Sequence, residues 1–253
     1  MALFYRDDDV SYESYEEGRP TGFRRYTEML GSHWFDWMRS GIVTTIGLLP
    51  LMAAIGVSVL ATSILLLIPL SFLGGMIAAP FYSAYHDVFL RSIRYGRGTW
   101  FEQYITGWKQ NWRSSLLPGG IIGILIGSYT FMGFLLYWRV TSIPLTTVIM
   151  YFISGIILIT GITVYMPLSV LFEQTPKNRL INIIAYTSRY FFKVLSMSIL
   201  QMIILTLTVM FAPWSLFLVP IAGWYFRFLV IHKLYDSLNE YFSIEELIQK
   251  KQS

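Results

Sequence analysis

The sequence contains no cysteine and few charged residues. The absence of cysteine excludes disulfide bonds, thiolate nucleophiles and cysteine-based metal sites. Charged residues make up 13% of the 253 residues, whereas soluble domains usually carry about 25%. Such depletion, together with long uncharged runs, is typical of an integral membrane protein. The net charge of +4 does not indicate a nucleic-acid partner, because the basic residues of this chain do not form a stripe on a soluble domain.

Motifs of known catalytic and cofactor sites are also missing. The chain has no H-E-x-x-H, no P-loop, no G-x-S-x-G and no G-x-G-x-x-G. The three histidines, His33, His86 and His232, lie near predicted membrane boundaries, where a lone histidine is usually structural. We therefore expect no enzyme activity, no cofactor and no metal site. Carboxylates are absent from mid-membrane positions, which disfavours ion-coupled transport.

Long uncharged runs locate the membrane spans. Lys, Arg, Asp and Glu are all absent from residue 40 to residue 86. As a helix this run would be roughly 70 Å long, about twice a hydrocarbon core, so it predicts a hairpin of two helices. The complete pattern predicts an all-α polytopic transmembrane bundle of about six spans, near 41–61, 64–85, 116–138, 144–171, 193–211 and 214–231.

The distribution of basic residues predicts the orientation of the spans. With six spans and both termini on one side, only Arg139 among the 19 Lys and Arg residues falls on the opposite side. Because basic residues favour the cytoplasmic side, we expect a multi-pass protein of the cell membrane with cytoplasmic N and C termini. A five-span alternative would place the C-terminal tail outside. The six-span topology divides the chain into a cytoplasmic tail at 1–38, a transmembrane domain at 39–233 and a cytoplasmic tail at 234–253.

An amphipathic helix is predicted at 99–113, between the second and third spans. Thr99 and Glu102 have the spacing of a capping box, which indicates a helix start at Trp100. Large aromatic residues recur at every fourth position and share one face: Trp100, Tyr104, Trp108 and Trp112. The helix is too short to span, so we expect it on the cytoplasmic membrane surface or under the bundle. A docking site for a cytoplasmic partner is the alternative.

Other segments near the predicted membrane surface carry similar signals. Arg91 and Arg94 follow the second span, where they suit a helix C-terminus and anionic headgroups. Aromatic residues in 23–37 have helical spacing and predict a second interfacial helix leading into the first span. Residues 1–20 are acidic and aromatic, so we expect a solvated tail, with a docking peptide as the alternative.

Two features inside the spans concern helix packing. Gly119, Gly123 and Gly127 share one face of the third span, where missing side chains let another helix approach closely. This face predicts either a homodimer contact or packing inside the monomer. Gln201 is the most polar residue deep in a span, and we expect an interhelical hydrogen bond, with a substrate contact as the alternative.

Two segments resemble the YesL-like family of bacterial membrane proteins. Pro80, Ala84 and Tyr85 match its Pro-x-x-x-Ala-aromatic pattern, and the run WKQNW at 108–112 matches its F-K-Q-N-F-like helix. The stretch 171–195 is similar to the loop that enters the family's penultimate helix. This resemblance implies a small helical membrane protein of bacteria with a poorly defined role. It also implies a gene near those for carbohydrate uptake and degradation.

Two functions are compatible with these features. The first is a non-enzymatic accessory protein that binds or regulates a membrane transport complex, and the resemblance implies an ABC-type carbohydrate importer as its partner. The predicted docking or membrane-interface residues are Arg91, Arg94, Trp100, Tyr104, Trp108, Lys109 and Trp112. The second is a permease or channel subunit for a small neutral solute such as a sugar, which hydroxyl groups on the second, fourth and fifth spans suggest.

Overall fold

The computed structural model describes residues 4–5, 21–94, 99–139, 142–211, 214, 224–244 and 246–247. These residues form long helices joined by short turns, together with one pair of very short strands. The elements in chain order are β1 (Phe4–Tyr5), α1 (Gly22–Leu60), α2 (Ile64–Ile93), α3 (Trp100–Arg139), α4 (Leu145–Leu171), β2 (Phe172–Glu173), α5 (Pro176–Arg189), α6 (Phe191–Met210) and α7 (Trp224–Phe242).

Five of these helices, α1, α2, α3, α4 and α6, are long and apolar enough to cross a membrane. This confirms the predicted polytopic all-α bundle. Half of the predicted sixth span, 214–231, lies outside the described residues, so the choice between five and six spans stays a prediction. The orientation of the termini and the bacterial cell membrane also stay predictions.

The predicted hairpin of the first two spans is confirmed. α1 ends at Leu60 and α2 begins at Ile64, and Thr62 between them has a positive φ of 52°. Ser63 caps α2, because its side-chain oxygen accepts a hydrogen bond from the Leu66 backbone N–H at 3.4 Å. This tight turn lays α2 back along α1.

The two predicted interfacial helices are instead the ends of spanning helices. α1 has 39 residues and α3 has 40, so each is about 60 Å long, roughly twice a hydrocarbon core. The capping box is confirmed, since the Thr99 N–H donates to Glu102 Oε2 at 3.1 Å and the Glu102 N–H to Thr99 Oγ1 at 3.4 Å. A separate helix ending near residue 113 is wrong, because α3 continues through Pro118, and neighbouring helices can satisfy a carbonyl freed by proline. The boundary between residues 38 and 39 likewise falls inside α1.

The glycine face of α3 packs against α2. A Cβ placed on Gly119 would lie 2.1 Å from Ala79 Cβ, and one on Gly123 would lie 2.3 Å from Ser71 O. At Gly127 the nearest atom would be Ser71 Oγ at 2.4 Å. Of the two predictions for this face, the structure supports packing inside the monomer, because α2 occupies the space that a second copy would need.

The best-buried part of the core lies outside the predicted membrane spans, where the ends of several helices meet. Trp37 of α1, Phe89 of α2 and Tyr235 of α7 are each at most 1% exposed. Arg25 joins α1 to α7, since its Nε donates to His232 Nδ1 at 3.1 Å and its Nη2 lies 2.9 Å from an Asp236 carboxylate oxygen. These contacts fix the position of α7, which carries the central residue of the site described below.

Both predicted tails contact the rest of the fold. β1 pairs antiparallel with β2, with Tyr5 opposite Phe172, so this described part of the N-terminal segment packs on its own chain. The other residues between 1 and 20 lie outside the described residues. α7 continues past the predicted boundary at residue 234 to Phe242, and Leu234 and Leu238 are each 1% exposed, so this part of the predicted C-terminal tail packs against the fold. Apolar side chains four residues apart form one buried helix face.

Candidate ligand-binding cavity

Arg91 and Arg94, which were candidates for contact with a partner or with headgroups, are buried. Arg91 is 1% exposed, its Nε and Nη2 each lie 3.0 Å from Asp87 Oδ2, and Nη2 also donates to Gln110 Oε1 at 3.0 Å. Arg94 is 5% exposed, its Nε donates to Leu90 O at 2.9 Å, and burial lowers its pKa to about 10. This burial contradicts a docking role for both residues, because neighbouring helices cover the end of α2.

The aromatic stripe of α3 faces the protein interior over most of its length. Tyr104 is 3% exposed, and its hydroxyl donates to Phe81 O at 3.2 Å. The other residues of α3 that were predicted to contact a partner or the membrane become more exposed along the helix. Trp100 and Trp108 are half-buried, whereas Lys109 and Trp112 are exposed. The stripe therefore packs under the bundle, one of the two predicted locations. Only its C-terminal end is available to lipid or to a partner.

A cavity of about 400 Å³ lies between the spanning helices and α7. On each of α2, α3, α4 and α6 the lining positions are three or four residues apart, so each helix presents one face to the cavity. From residue 201 to residue 208, α6 advances by about 10 Å along it. The lining consists mainly of aliphatic side chains and glycines, with polar groups from Tyr82, Gln201, Thr208, Trp224 and Arg227.

Three polar side chains from different helices meet at this cavity. Arg227 Nη1 donates to Thr163 Oγ1 at 3.0 Å and also to Gln201 Oε1. Gln201 Nε2 in turn donates to Thr163 Oγ1 at 3.0 Å and to Met197 O at 3.2 Å. The predicted interhelical hydrogen bond of Gln201 is therefore confirmed. Because Gln201 lies in the middle of α6, the cluster lies near the middle of the predicted membrane.

Arg227 carries a charge that its surroundings do not balance. Its Nε and Nη2 are buried and have no hydrogen-bond partner in the part of the chain that the structure describes. Among the described residues it forms no ion pair with Asp or Glu. The ring of Tyr82, with its centroid 5.8 Å from Arg227 Cζ, offers a cation–π contact. An ionisable group at such a depth is expensive and usually has a functional role.

Metal-ligating side chains do not gather around this cluster. Within the described ranges no three His, Asp or Glu side chains come together in a group that could hold a metal ion. The side chains that line the cavity offer hydrogen bonding, charge attraction and apolar contact.

Arg227 was open to identification from the sequence alone. It lies inside the predicted sixth span, 214–231, and as a charged residue it is more polar than Gln201, the residue singled out above for a span interior. No Asp or Glu occurs from residue 174 to residue 235, so a nearby counter-charge is missing from the sequence as well. An arginine within an apolar span and without an acidic neighbour is the signal that indicates a polar site in a membrane protein.

Comparison with known proteins assigns no relative to this chain. It matches no family model, and neither a curated protein nor a solved structure is significantly similar to it. The resemblance to the YesL-like family therefore stays a prediction.

Proposed function

We propose that this protein is a permease, or the subunit of one, that binds a largely apolar molecule inside its helix bundle. The observation that carries this proposal is the cavity of about 400 Å³ bordered by faces of the spanning helices and by α7. Membrane permeases bind their substrates in such cavities near the middle of the bilayer. Ile159, Ile162 and Ile204 line the cavity and offer apolar contact to a ligand.

The composition of the lining favours an apolar or amphipathic ligand over the sugar considered above. Each hydroxyl group of a sugar needs a hydrogen-bond partner when it leaves water, and a missing partner costs about 1–3 kcal/mol. Gln201 already bonds Thr163 and Arg227, so few free polar groups remain. An aliphatic body requires no such partners and gains about 25 cal/mol per Å² of buried apolar surface.

Fluorescence quenching tests whether the cavity binds a ligand. Trp224 lines the cavity, so a bromine-terminated decanol should quench its emission in a saturable manner. The emission of Trp224 is obtained as the difference in fluorescence between the wild type and Trp224→Phe, both in nanodiscs. Ile162→Phe and Ile204→Phe place larger side chains in the cavity and should weaken binding, whereas Ile203→Phe, at a position that is 52% exposed, should not.

The contrast between the cavity variants and the surface variant decides the proposal. If quenching is not saturable, or if all three phenylalanine variants bind decanol as the wild type does, the cavity does not bind such a ligand. Vesicles that contain the protein then test transport, because a permease should accelerate the exchange of decanol-like molecules and the two cavity variants should slow it.

An accessory role in a transport complex would need an exposed docking surface, and the exposed surface on α3 is smaller than the sequence predicts. Phe101 is 57% exposed and Trp112 is 39% exposed, and Lys109 is exposed on the same side of α3. Purification in mild detergent should recover ABC importer subunits with the wild type and lose them with Lys109→Glu. Recovery of the same subunits with both proteins would show that this surface does not bind them.

A further inference from the structure

We propose that the ligand is an amphipathic anion, whose acid group binds Arg227 while its aliphatic body occupies the apolar part of the cavity. This inference rests on the proposed function, because it names the ligand class of the same cavity. The acid group is a carboxylate or a phosphate, since both oxyanions accept paired hydrogen bonds from a guanidinium.

The hydrogen bonds of Arg227 leave one edge of its guanidinium for such a group. Nη1 is engaged by Thr163 and Gln201, which come from α4 and α6. Nε and Nη2 have no hydrogen-bond partner among the described residues. These two nitrogens share one edge of the planar group, and their parallel N–H bonds match two oxygens of a carboxylate or phosphate.

The charges around Arg227 favour an anion over a neutral or cationic ligand. A buried cation without a counter-charge is unfavourable, because surroundings of low dielectric stabilise it poorly. No carboxylate in the described residues forms an ion pair with Arg227, and the sequence has no Asp or Glu between residues 174 and 235. A bound anion supplies the missing charge, and its attraction to a partly buried guanidinium is stronger than it would be in bulk water.

Thr163 and Gln201 act as positioning residues in this arrangement. By holding Nη1, they fix the plane of the guanidinium relative to α4 and α6. Nε and Nη2 are covered in this structure, so an acid group reaches them after neighbouring side chains move. Changes of side-chain rotamer on that scale are common when ligands bind.

The cavity lining beyond Arg227 suits the aliphatic part of the ligand. Along α6 the positions after Gln201 that line the cavity are Ile204, Leu205 and Thr208, in successive turns. Ile159 and Ile162 of α4 also line it. One molecule that joins an acid group to an alkyl chain therefore satisfies both the charged and the apolar parts of the site.

The test uses three bromine-terminated decyl probes that differ only in their head group: a carboxylate, a hydroxyl and a trimethylammonium. The full-length protein in phosphatidylcholine nanodiscs is titrated with each probe at mildly alkaline pH, and Trp224 quenching reports binding. We expect the carboxylate to bind at least about tenfold more tightly than the hydroxyl, because hydrogen bonds to charged groups contribute more than neutral ones. The trimethylammonium probe should bind more weakly than the hydroxyl.

Substitution of Arg227 assigns the preference to this residue. Arg227→Gln should reduce the affinity for the carboxylate probe to that for the hydroxyl probe and leave the hydroxyl probe unaffected. Lys233→Gln is the matched control, because it removes an exposed cation from the same helix and should change neither affinity. Equal affinity of the wild type for all three probes, or an unchanged preference in Arg227→Gln, would overturn the inference.

The outcomes separate this inference from the proposed function. If the hydroxyl probe binds but the head group has no effect, the cavity binds ligands and only the anion assignment fails. If no probe quenches Trp224, the proposed function itself fails. The head-group series on the wild type still decides the inference if Arg227→Gln does not fold.

A final experiment identifies where the acid group comes from. The wild type and Arg227→Gln are released from nanodiscs of mixed phosphatidylglycerol and phosphatidylcholine and weighed by native mass spectrometry. Phosphatidylglycerol retained by the wild type alone assigns the site to the phosphate of a bilayer lipid. Equal lipid retention, with the preference for the carboxylate probe intact, assigns it to a free amphiphile.

Discussion

Replacing Gly123 by alanine would place a methyl group where α2 and α3 touch through their backbones. The new Cβ would lie 2.3 Å from Ser71 O and 2.8 Å from Gly75 Cα. Real Cβ contacts essentially never fall below 3.0 Å, so the two helices must separate by at least about 0.7 Å, the difference between 3.0 and 2.3. Backbone atoms cannot rotate away as a flexible side chain can, so the whole helix pair has to move.

The expected effect of Gly123→Ala on stability is the balance of two terms. Overpacking a close contact costs about 1–3 kcal/mol, whereas alanine in place of glycine favours a helix by about 0.5–1 kcal/mol. The net loss should therefore be about 1 kcal/mol, within a range of about 0–2.5 kcal/mol. Gly161→Ala is the matched control, because a Cβ there meets nothing within 4 Å. That variant should be stabilised by about 0.5–1 kcal/mol.

Unfolding in detergent measures the free-energy change of both variants, and chemical crosslinking measures their oligomeric state. We expect Gly123→Ala to lose stability and Gly161→Ala to gain it, with no change of oligomeric state in either variant. If Gly123→Ala proved as stable as Gly161→Ala but dissociated a dimer, the glycine face would contact a second copy. The packing of α2 on this face would then be refuted.

Three further substitutions test the buried polar contacts and the start of α3. Asp87→Asn should lower the free energy of unfolding by about 3–5 kcal/mol, because it leaves the buried Arg91 without its carboxylate. Arg91→Met in that background should restore part of the loss in chemical denaturation, and equal stability of all variants would contradict a buried ion pair. Burial and the nearby Arg25 lower the pKa of His232, beyond the predicted end of the sixth span, from 6.5 to about 3. The unfolded chain therefore binds the proton first, so the contribution of His232 to stability should be complete above pH 6.5 and be lost as the pH falls towards 3. Comparison with His232→Gln across that pH range isolates this contribution, and identical profiles would exclude it. Thr99→Ala should destabilise the first turn of α3 by about 0.5–2 kcal/mol and speed its hydrogen exchange, whereas Thr99→Ser should keep the cap.

Features that depend on residues close together in the sequence were predictable from the sequence. The capping box formed by Thr99 and Glu102 predicts where α3 begins, because both partners lie within one turn. The uncharged run from residue 40 to residue 86 predicts a hairpin, because its length exceeds one membrane crossing. Glycines at every fourth position predict a close helix contact. Each of these features can be predicted without knowing which helices are neighbours.

The identity of each neighbour required the tertiary structure. Arg91 fits a headgroup contact by its place at a helix end, but α3 passes close enough for Gln110 to accept from its guanidinium. Likewise, the amphipathic stripe of α3 has the pattern of a membrane-surface helix, and only the path of the continuous helix places it under the bundle. A pattern of apolar residues shows which face is buried and does not distinguish lipid from protein.

By itself, the sequence determined that this chain is a membrane-embedded helical bundle, because hydropathy and helix capping are properties of adjacent residues. The polar cluster in the cavity was decided by the fold. Thr163 and Gln201 are 38 positions apart and Gln201 and Arg227 are 26 apart, and they come from three helices. Contacts over such separations depend on how helices pack, and packing determines whether a charge faces water, lipid or a site for a ligand.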